Sequence, residues 1–195
     1  WHLMQNGLGL GDAIRQASFN GVSIITGTGY VSANFSAWGG FATTILLIVM
    51  FIGGCGGSTT CGIKVFRLQV LASAAKVQIS RLLRPHAVVL AYYNKRPVSV
   101  EVMDSVMGFF YLFILGFVLI AIMLGIAGLD FVTALSGAAT SISNVGPGLG
   151  EVIGADGNFS TLPDSAKWIM TFAMLLGRLE IFTVLVMLNP AFWQR

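Results

Sequence analysis

The chain has 195 residues, of which 55% are hydrophobic and only 10% charged, and its net charge is +3. Soluble domains carry about 25% charged residues, so a deficit this large along the whole length excludes a soluble domain and implies a polytopic membrane protein. Seven of the eleven Lys and Arg fall between Lys64 and Arg96. Flanked by apolar spans, that run reads as a cytoplasmic segment by the positive-inside rule and not as a nucleic-acid patch.

The sequence opens at Trp1, and residues 1–20 lack the basic start and continuous apolar core of a signal peptide. It is read as the C-terminal part of a longer protein. Asp12 to Ile25 is amphipathic and rich in Ala, Ser and Gly, with an aspartate near its start that suits a helix N-terminus. Its length of about 13 residues fits a re-entrant helix better than a span. It runs into Ser23-Ile24-Ile25-Thr26-Gly27-Thr28-Gly29, an instance of [ST]-x-I-[ST]-x-x-G. Phe41 to Ile52 is apolar but only 12 residues long. The ten residues Gly53 to Gly62 then hold five glycines and make a helix improbable. Helical character returns near Ile63 and continues toward Leu83. Such a broken helix is tolerable in a membrane only where the break lines a cavity or is covered by protein.

Val106 to Ile126 gives 21 residues without a charge, enough to cross the hydrocarbon. Asp130 to Ile142 repeats the composition of Asp12 to Ile25. It ends in Thr140-Ser141-Ile142-Ser143-Asn144-Val145-Gly146, the second instance of the pattern, 117 residues after the first. A further span runs from about Lys167 to Leu188 and is closed by Asn189-Pro190. It contains Arg178 and Glu180, so it does not simply face lipid. The second set of elements is a complete helix–pore loop–helix unit. The first lacks its leading span. Two parts follow: residues 1–97, with a pore loop, a broken second helix and the basic linker, and residues 98–195, with the complete unit.

Thr26, Gly27, Thr28 and Gly29, with Ser143, Asn144, Val145 and Gly146, offer carbonyl and hydroxyl oxygens to a dehydrated cation, as rings of carbonyls do in potassium filters. The preceding helices point their partially negative ends at the same place. Ordinary glycine turns between helices are the alternative reading. The segment holding Gly53, Gly54, Gly56, Gly57, Ser58, Thr59, Thr60 and Gly62 reads as a plug or gate, or as close helix packing of the Gly-x-x-x-Gly kind. It is not a phosphate loop, because Ile63 separates Gly62 from Lys64 and no strand is expected before it. Arg178 is an electrostatic barrier in the pathway or a partner of a buried carboxylate; a structural ion pair is the alternative. Cys55 and Cys61 read as small packing residues, and His2 and His86 are isolated. The carboxylates are scattered, with no catalytic signature, so no enzyme is expected.

The Thr26-Gly27-Thr28-Gly29-Tyr30 loop, the Gly53–Lys64 stretch, the Ser143–Gly150 loop and the ending Gly177-Arg178-Leu179-Glu180-Ile181-Phe182 together resemble the bacterial Trk potassium-uptake membrane subunits of the TrkH/TrkG type. The resemblance covers essentially the whole chain. It implies an all-α polytopic membrane protein of helix–pore loop–helix repeats with a potassium-channel-like architecture. Four such repeats surround one pore in that family, and this chain matches most of the third and all of the fourth. It further implies a key filter glycine per repeat, here Gly29 and Gly146, an intramembrane gating loop at about Gly53 to Gly62, and Arg178 projecting into the path. The implied cargo is K⁺, with no organic cofactor expected. The implied partners are the upstream repeats of the same chain, a second protomer in a homodimer, a cytosolic nucleotide-binding regulatory subunit and the lipid bilayer of the bacterial inner membrane. A sodium or mixed transporter and a non-conducting assembly subunit are the rival readings.

Overall fold

In the computed structural model, which describes residues 2–5, 7–84, 89–179 and 181–193, the apolar run after the basic linker forms the longest helix. Nine helices appear among these residues: α1 (His2–Gln5), α2 (Leu10–Ile25), α3 (Gly40–Phe51), α4 (Val65–Leu83), α5 (Val100–Ile126), α6 (Phe131–Ser143), α7 (Asp164–Arg178), α8 (Ile181–Leu188) and α9 (Pro190–Trp193). Two pairs of two-residue strands interrupt the helical order. β1 (Ile52–Gly53) runs parallel to β2 (Ile63–Lys64), and β3 (Tyr92–Tyr93) runs antiparallel to β4 (Arg96–Pro97). His86 and Glu180 lie outside the described residues.

Helix α5 has 27 residues, about 40 Å at 1.5 Å per residue, against a hydrocarbon core of about 30 Å. It is the one described helix long and apolar enough to cross a membrane by length and composition. Met107, Tyr111, Ile114, Val118, Ile122 and Met123 stand exposed along it, the surface expected toward lipid. Its other side carries Phe109, Phe113, Ile120 and Leu124 into a core shared with Ala134, Ala138 and Ile142 of α6 and Ala166, Met170 and Ala173 of α7.

Helix α6 is the centre of the molecule. Ten of its thirteen residues are buried, and most are small. Between membrane helices there is no hydrophobic gain to exploit, so small side chains that let backbones approach drive association. The second core gathers Ile24 of α2, Leu46 and Met50 of α3, Phe35 and Trp38 around Ala139, Val145 and Leu149 of α6 and its loop. The same short helix therefore has one face in each core.

Asp130 caps α6: its Oδ2 accepts from the Thr133 amide at 3.1 Å. The hydroxyl and amide of Thr133 hold this carboxyl below its ordinary value of 3.8. A depressed folded value means the cap contributes stability above the unfolded value and loses it as pH falls through the lower folded one. Asp130→Ala should cost about 1 kcal/mol at neutral pH, read from faster amide exchange in the first turn of α6, whereas Asp130→Asn should retain most of the protection. The Ala penalty should shrink as the pH drops below 3.8. A penalty that does not change with acidification would contradict a charged cap. Asp12, by contrast, is no cap: α2 starts at Leu10 behind Gly9, which makes no side-chain cap bond, and Asp12 pairs with Arg15 at 2.9 Å.

Two expectations need correction. Lys167 to Leu188 is not one helix. It divides into α7, ending at Arg178, and α8, beginning at Ile181, with Leu179 in a turn. Gly177 weakens the helix there, and Arg178 is drawn across to a loop described below. A strand does precede the glycine-rich stretch, since β1 leads into it, but this strand has two residues and pairs only with β2. Lys64 still stands one place too late for a phosphate loop.

Candidate functional site

The two instances of the seven-residue pattern fold alike and meet. At the end of α2 the amides of Gly27 and Thr28 donate to the carbonyls of Ile24 and Ser23, at 3.1 and 3.0 Å. At the end of α6 the amides of Asn144 and Val145 donate to Ser141 and Thr140, at 3.2 and 3.0 Å. These are the same positions shifted by 117 residues. The amide of Gly29 also turns back, to the Ser23 carbonyl at 3.4 Å, and that of Gly146 to the Thr140 hydroxyl at 3.0 Å.

Backbone handedness follows the same scheme. Gly27 and Gly29 have φ of +66° and +76°; Asn144 and Gly146 have φ of +52° and +119°. The intervening Thr28 and Val145 are ordinary in φ. Residues of positive φ thus alternate with ordinary ones in both loops. Here the amides face the helix. No described group donates a hydrogen bond to the carbonyls of Thr26 to Gly29 or of Ser143 to Gly146. Thr26, Thr28 and Gly146 are exposed and Gly27, Gly29 and Asn144 half-buried, so the two matched runs form an open, concentrated acceptor surface.

The loops lie against each other. A Cβ built on Gly29 would sit 2.6 Å from the Val145 carbonyl oxygen, and one on Gly27 would sit 3.4 Å from that of Asn144. Thr26 and Thr28 share a hydroxyl contact at 2.8 Å, and the Thr26 hydroxyl donates to the Val22 carbonyl at 2.7 Å. Beyond the loops, Asn34 donates to Asp156 at 2.5 Å and the Ser36 hydroxyl to the Gly150 carbonyl at 3.0 Å, so the two units are tied at this end as well. On the α7 side, Asn144 donates to the Met174 carbonyl at 3.0 Å. Gly177 permits this approach, because a Cβ there would meet the Ile142 carbonyl oxygen at 1.9 Å. Gly177 opens the ending motif quoted above, but its role in this approach is visible only in the packing.

The glycine-rich stretch is a closed loop. The β1–β2 pairing joins its ends, with Ile52 beside Ile63 and Gly53 beside Lys64. A Cβ on Gly53 would overlap the Cys61 carbonyl at 2.2 Å, so this crossing requires glycine. Inside, Thr60 Oγ1 accepts from the Gly54 amide at 2.9 Å and shares a 2.6 Å contact with the Ser58 hydroxyl. Gly56, Gly57 and Gly62 complete the loop, and Gly57 has open space around it. Arg178 reaches it from the end of α7: Nη1 donates to the Thr59 carbonyl at 2.6 Å and lies 3.7 Å from Cys61 Sγ. Cys61 is thus a neighbour of the guanidinium as well as a packing residue. A cavity of about 230 Å³ lies between the loop, α5 and α7, lined among others by Thr59, Lys64, Arg67, Phe113 and Arg178. Arg67 stacks 3.8 Å from the Phe109 ring, and Phe51 packs edge-on against Phe117, which fixes the loop's root to α5.

This is an all-α polytopic membrane fold in which two short helices end in matched, carbonyl-presenting loops. The chain matches the TrkH family, described as a cation transport protein, over residues 5–195, and it belongs to that family. It is 47% identical to the Trk system potassium uptake protein TrkI of Halomonas elongata over 94% of its length. It is 38% identical to the Trk system potassium uptake protein TrkH of Escherichia coli over 93% of its length. The crystal structure of the potassium transporter TrkH from Vibrio parahaemolyticus superimposes with a TM-score of 0.85 at 41% identity, covering 93% of this chain and 38% of that one. The chain spans 37% of the length of each of these two relatives.

Proposed function

We propose that the whole protein, of which these residues form part, carries K⁺ inward across a bacterial inner membrane through a pore to which these two loops contribute. The pair of flanking loops, amides turned back to the helix and carbonyls unpaired, carries this reading. A cation that sheds its water needs a fixed set of oxygens, and Thr26 to Gly29 with Ser143 to Gly146 supply them without having to break internal bonds. The C-terminal ends of α2 and α6 add partial negative charge at the same place. Two loops make half of a four-sided ring, and upstream repeats of the same chain supply the rest. The basic stretch Lys64 to Arg96 faces the cytoplasm, and the acidic segment Glu151 to Asp164 faces outside. The Gly53–Gly62 loop, held by Arg178, is the gate. A cytosolic nucleotide-binding subunit sets its position, and two copies of the protein assemble as a dimer. The chemistry is transport and not catalysis, with K⁺ as cargo.

Names of relatives support potassium, while the loop geometry alone serves either alkali cation. A dehydrated-ion site stabilises the fold by mass action, so K⁺ should raise the melting midpoint of the purified full-length protein at constant ionic strength with choline as the balancing cation. At a K⁺ concentration 100 times its dissociation constant, the gain should be about 2.7 kcal/mol. Equal or larger stabilisation by Na⁺ would favour the sodium or mixed reading. No stabilisation by either ion would favour a non-conducting assembly subunit.

A further inference from the structure

The outer end of each loop is pinned to its own helix by a buried side chain outside the seven-residue pattern. Asn20 of α2 is fully buried. Its Oδ1 accepts from the Ser32 amide at 3.1 Å, and its Nδ2 donates to the Ser32 hydroxyl at 3.0 Å and to the Gln16 carbonyl at 2.8 Å. Ser136 of α6 is 1% exposed. Its Oγ accepts from the Leu149 amide at 3.0 Å and donates to the Leu149 carbonyl at 3.3 Å. Ser32 stands three residues after Gly29, and Leu149 three after Gly146, so the pinned residues correspond under the 117-residue shift. The pinning residues do not correspond: Asn20 shifts onto Gly137, next to Ser136. Different side chains from neighbouring helix positions make the same bond to the same backbone point.

We propose that Asn20 and Ser136 are positioning residues for ion discrimination. They hold the far end of each loop at a set distance from its helix. The inner end is already held by the amide bonds to Ser23 and Thr140. A run of carbonyls fixed at one end can widen or narrow to suit the ion; fixed at both ends, it offers one spacing. Discrimination between two cations of equal charge depends on that limit, because a run free to contract would close on the smaller ion equally well. The bonds also satisfy amides that have no other partner among the described residues, so removing either side chain leaves an unpaired donor next to the loop.

The inference rests on reading the loops as a filter, and its test separates the two. Flux of K⁺ and of Na⁺ is measured for the full-length transporter in proteoliposomes. Asn20→Ala and Ser136→Ala should each reduce K⁺ over Na⁺ discrimination by about five- to tenfold while K⁺ flux persists. Ser136→Cys keeps the side-chain shape with a slightly larger atom and weakens the bond, and should fall between. Ser32→Ala, at an exposed side chain, removes only the hydroxyl half of the Asn20 clamp and should give a smaller shift in the same direction. Ser141→Ala is the control: that hydroxyl is equally buried on α6 but bonds only to its own helix at Gly137, and the ratio should not move. Wild-type discrimination in well-inserted Asn20→Ala and Ser136→Ala, alongside loss of it in Gly29→Ser, overturns the positioning role alone. Wild-type discrimination in Gly29→Ser too overturns the filter itself. A shift in Ser141→Ala equal to that in Ser136→Ala would mean general loosening of the core and also overturns the proposal. If the two alanine variants fail to insert, unchanged ratios in Ser32→Ala and Ser136→Cys overturn it.

Discussion

Gly29→Ser and Gly146→Ser in the full-length protein should each lower K⁺ over Na⁺ discrimination by about tenfold or more, with the strain entering differently at the two sites. At Gly29 the obstacle is a neighbour. A Cβ would lie 2.6 Å from the Val145 carbonyl oxygen and 3.3 Å from the Pro147 ring. Both are parts of the opposite loop, so adding a side chain on one loop displaces carbonyls of the other. At Gly146 the obstacle is the backbone itself. Its φ of +119° lies outside the small left-handed region open to residues with a Cβ, while the nearest atom, the Gly29 Cα, is 3.4 Å away. Strained conformations of this kind cost about 1–3 kcal/mol, which the loop avoids by rotating away from its fixed spacing. Gly11→Ser makes a suitable control, since a Cβ there meets nothing within 4 Å. If paired flux measurements show wild-type discrimination in both loop variants, these residues do not form a filter.

Arg178→Ala should raise K⁺ flux in the absence of the regulatory subunit, and so should a deletion within Gly56 to Ser58. The guanidinium makes a 2.6 Å bond to the Thr59 carbonyl, tying the end of α7 to the loop's far side. A hydrogen bond to a charged group contributes about 1.5–3 kcal/mol, so its loss should raise the open population about ten- to a hundredfold where the closed position was only modestly favoured. Removal of the positive charge from the cavity adds to the gain for a cation. The deletion leaves the β1–β2 pairing that closes the loop, so the remaining chain can still join α3 to α4. A packing role for the same glycines predicts the reverse: lost expression and no gain of flux. Unchanged flux from a well-expressed, correctly inserted deletion would end the gating assignment.

Class and outline were legible in the sequence because they depend on composition and short-range pattern. Lack of charge identified a membrane protein, and an uncharged stretch longer than the hydrocarbon is thick identified α5. The repeated seven-residue pattern located both loops, because the small hydroxyl residues and glycines that permit such a backbone are visible one by one. Boundaries were less legible where a distant partner decides them. Gly177 alone does not show that the last span breaks at Arg178, since Ile181 to Leu188 is apolar throughout; the break coincides with a bond to a carbonyl 119 residues away.

By itself, then, the sequence determined a polytopic all-α membrane protein and the three places where its backbone must be irregular: the two loops and the Gly53–Gly62 break. Those are properties of solvent and of single residues: lipid demands apolar side chains and paired amides, and only certain residues allow the exceptions. Tertiary structure alone decided that the two loops touch, that their amides turn inward at matched positions, and that Asn20 and Ser136 clamp equivalent points with unlike side chains. A clamp of that kind requires a donor or acceptor of the right reach at one point in space. Different residues at non-equivalent positions meet that demand, so it leaves no shared pattern along the chain.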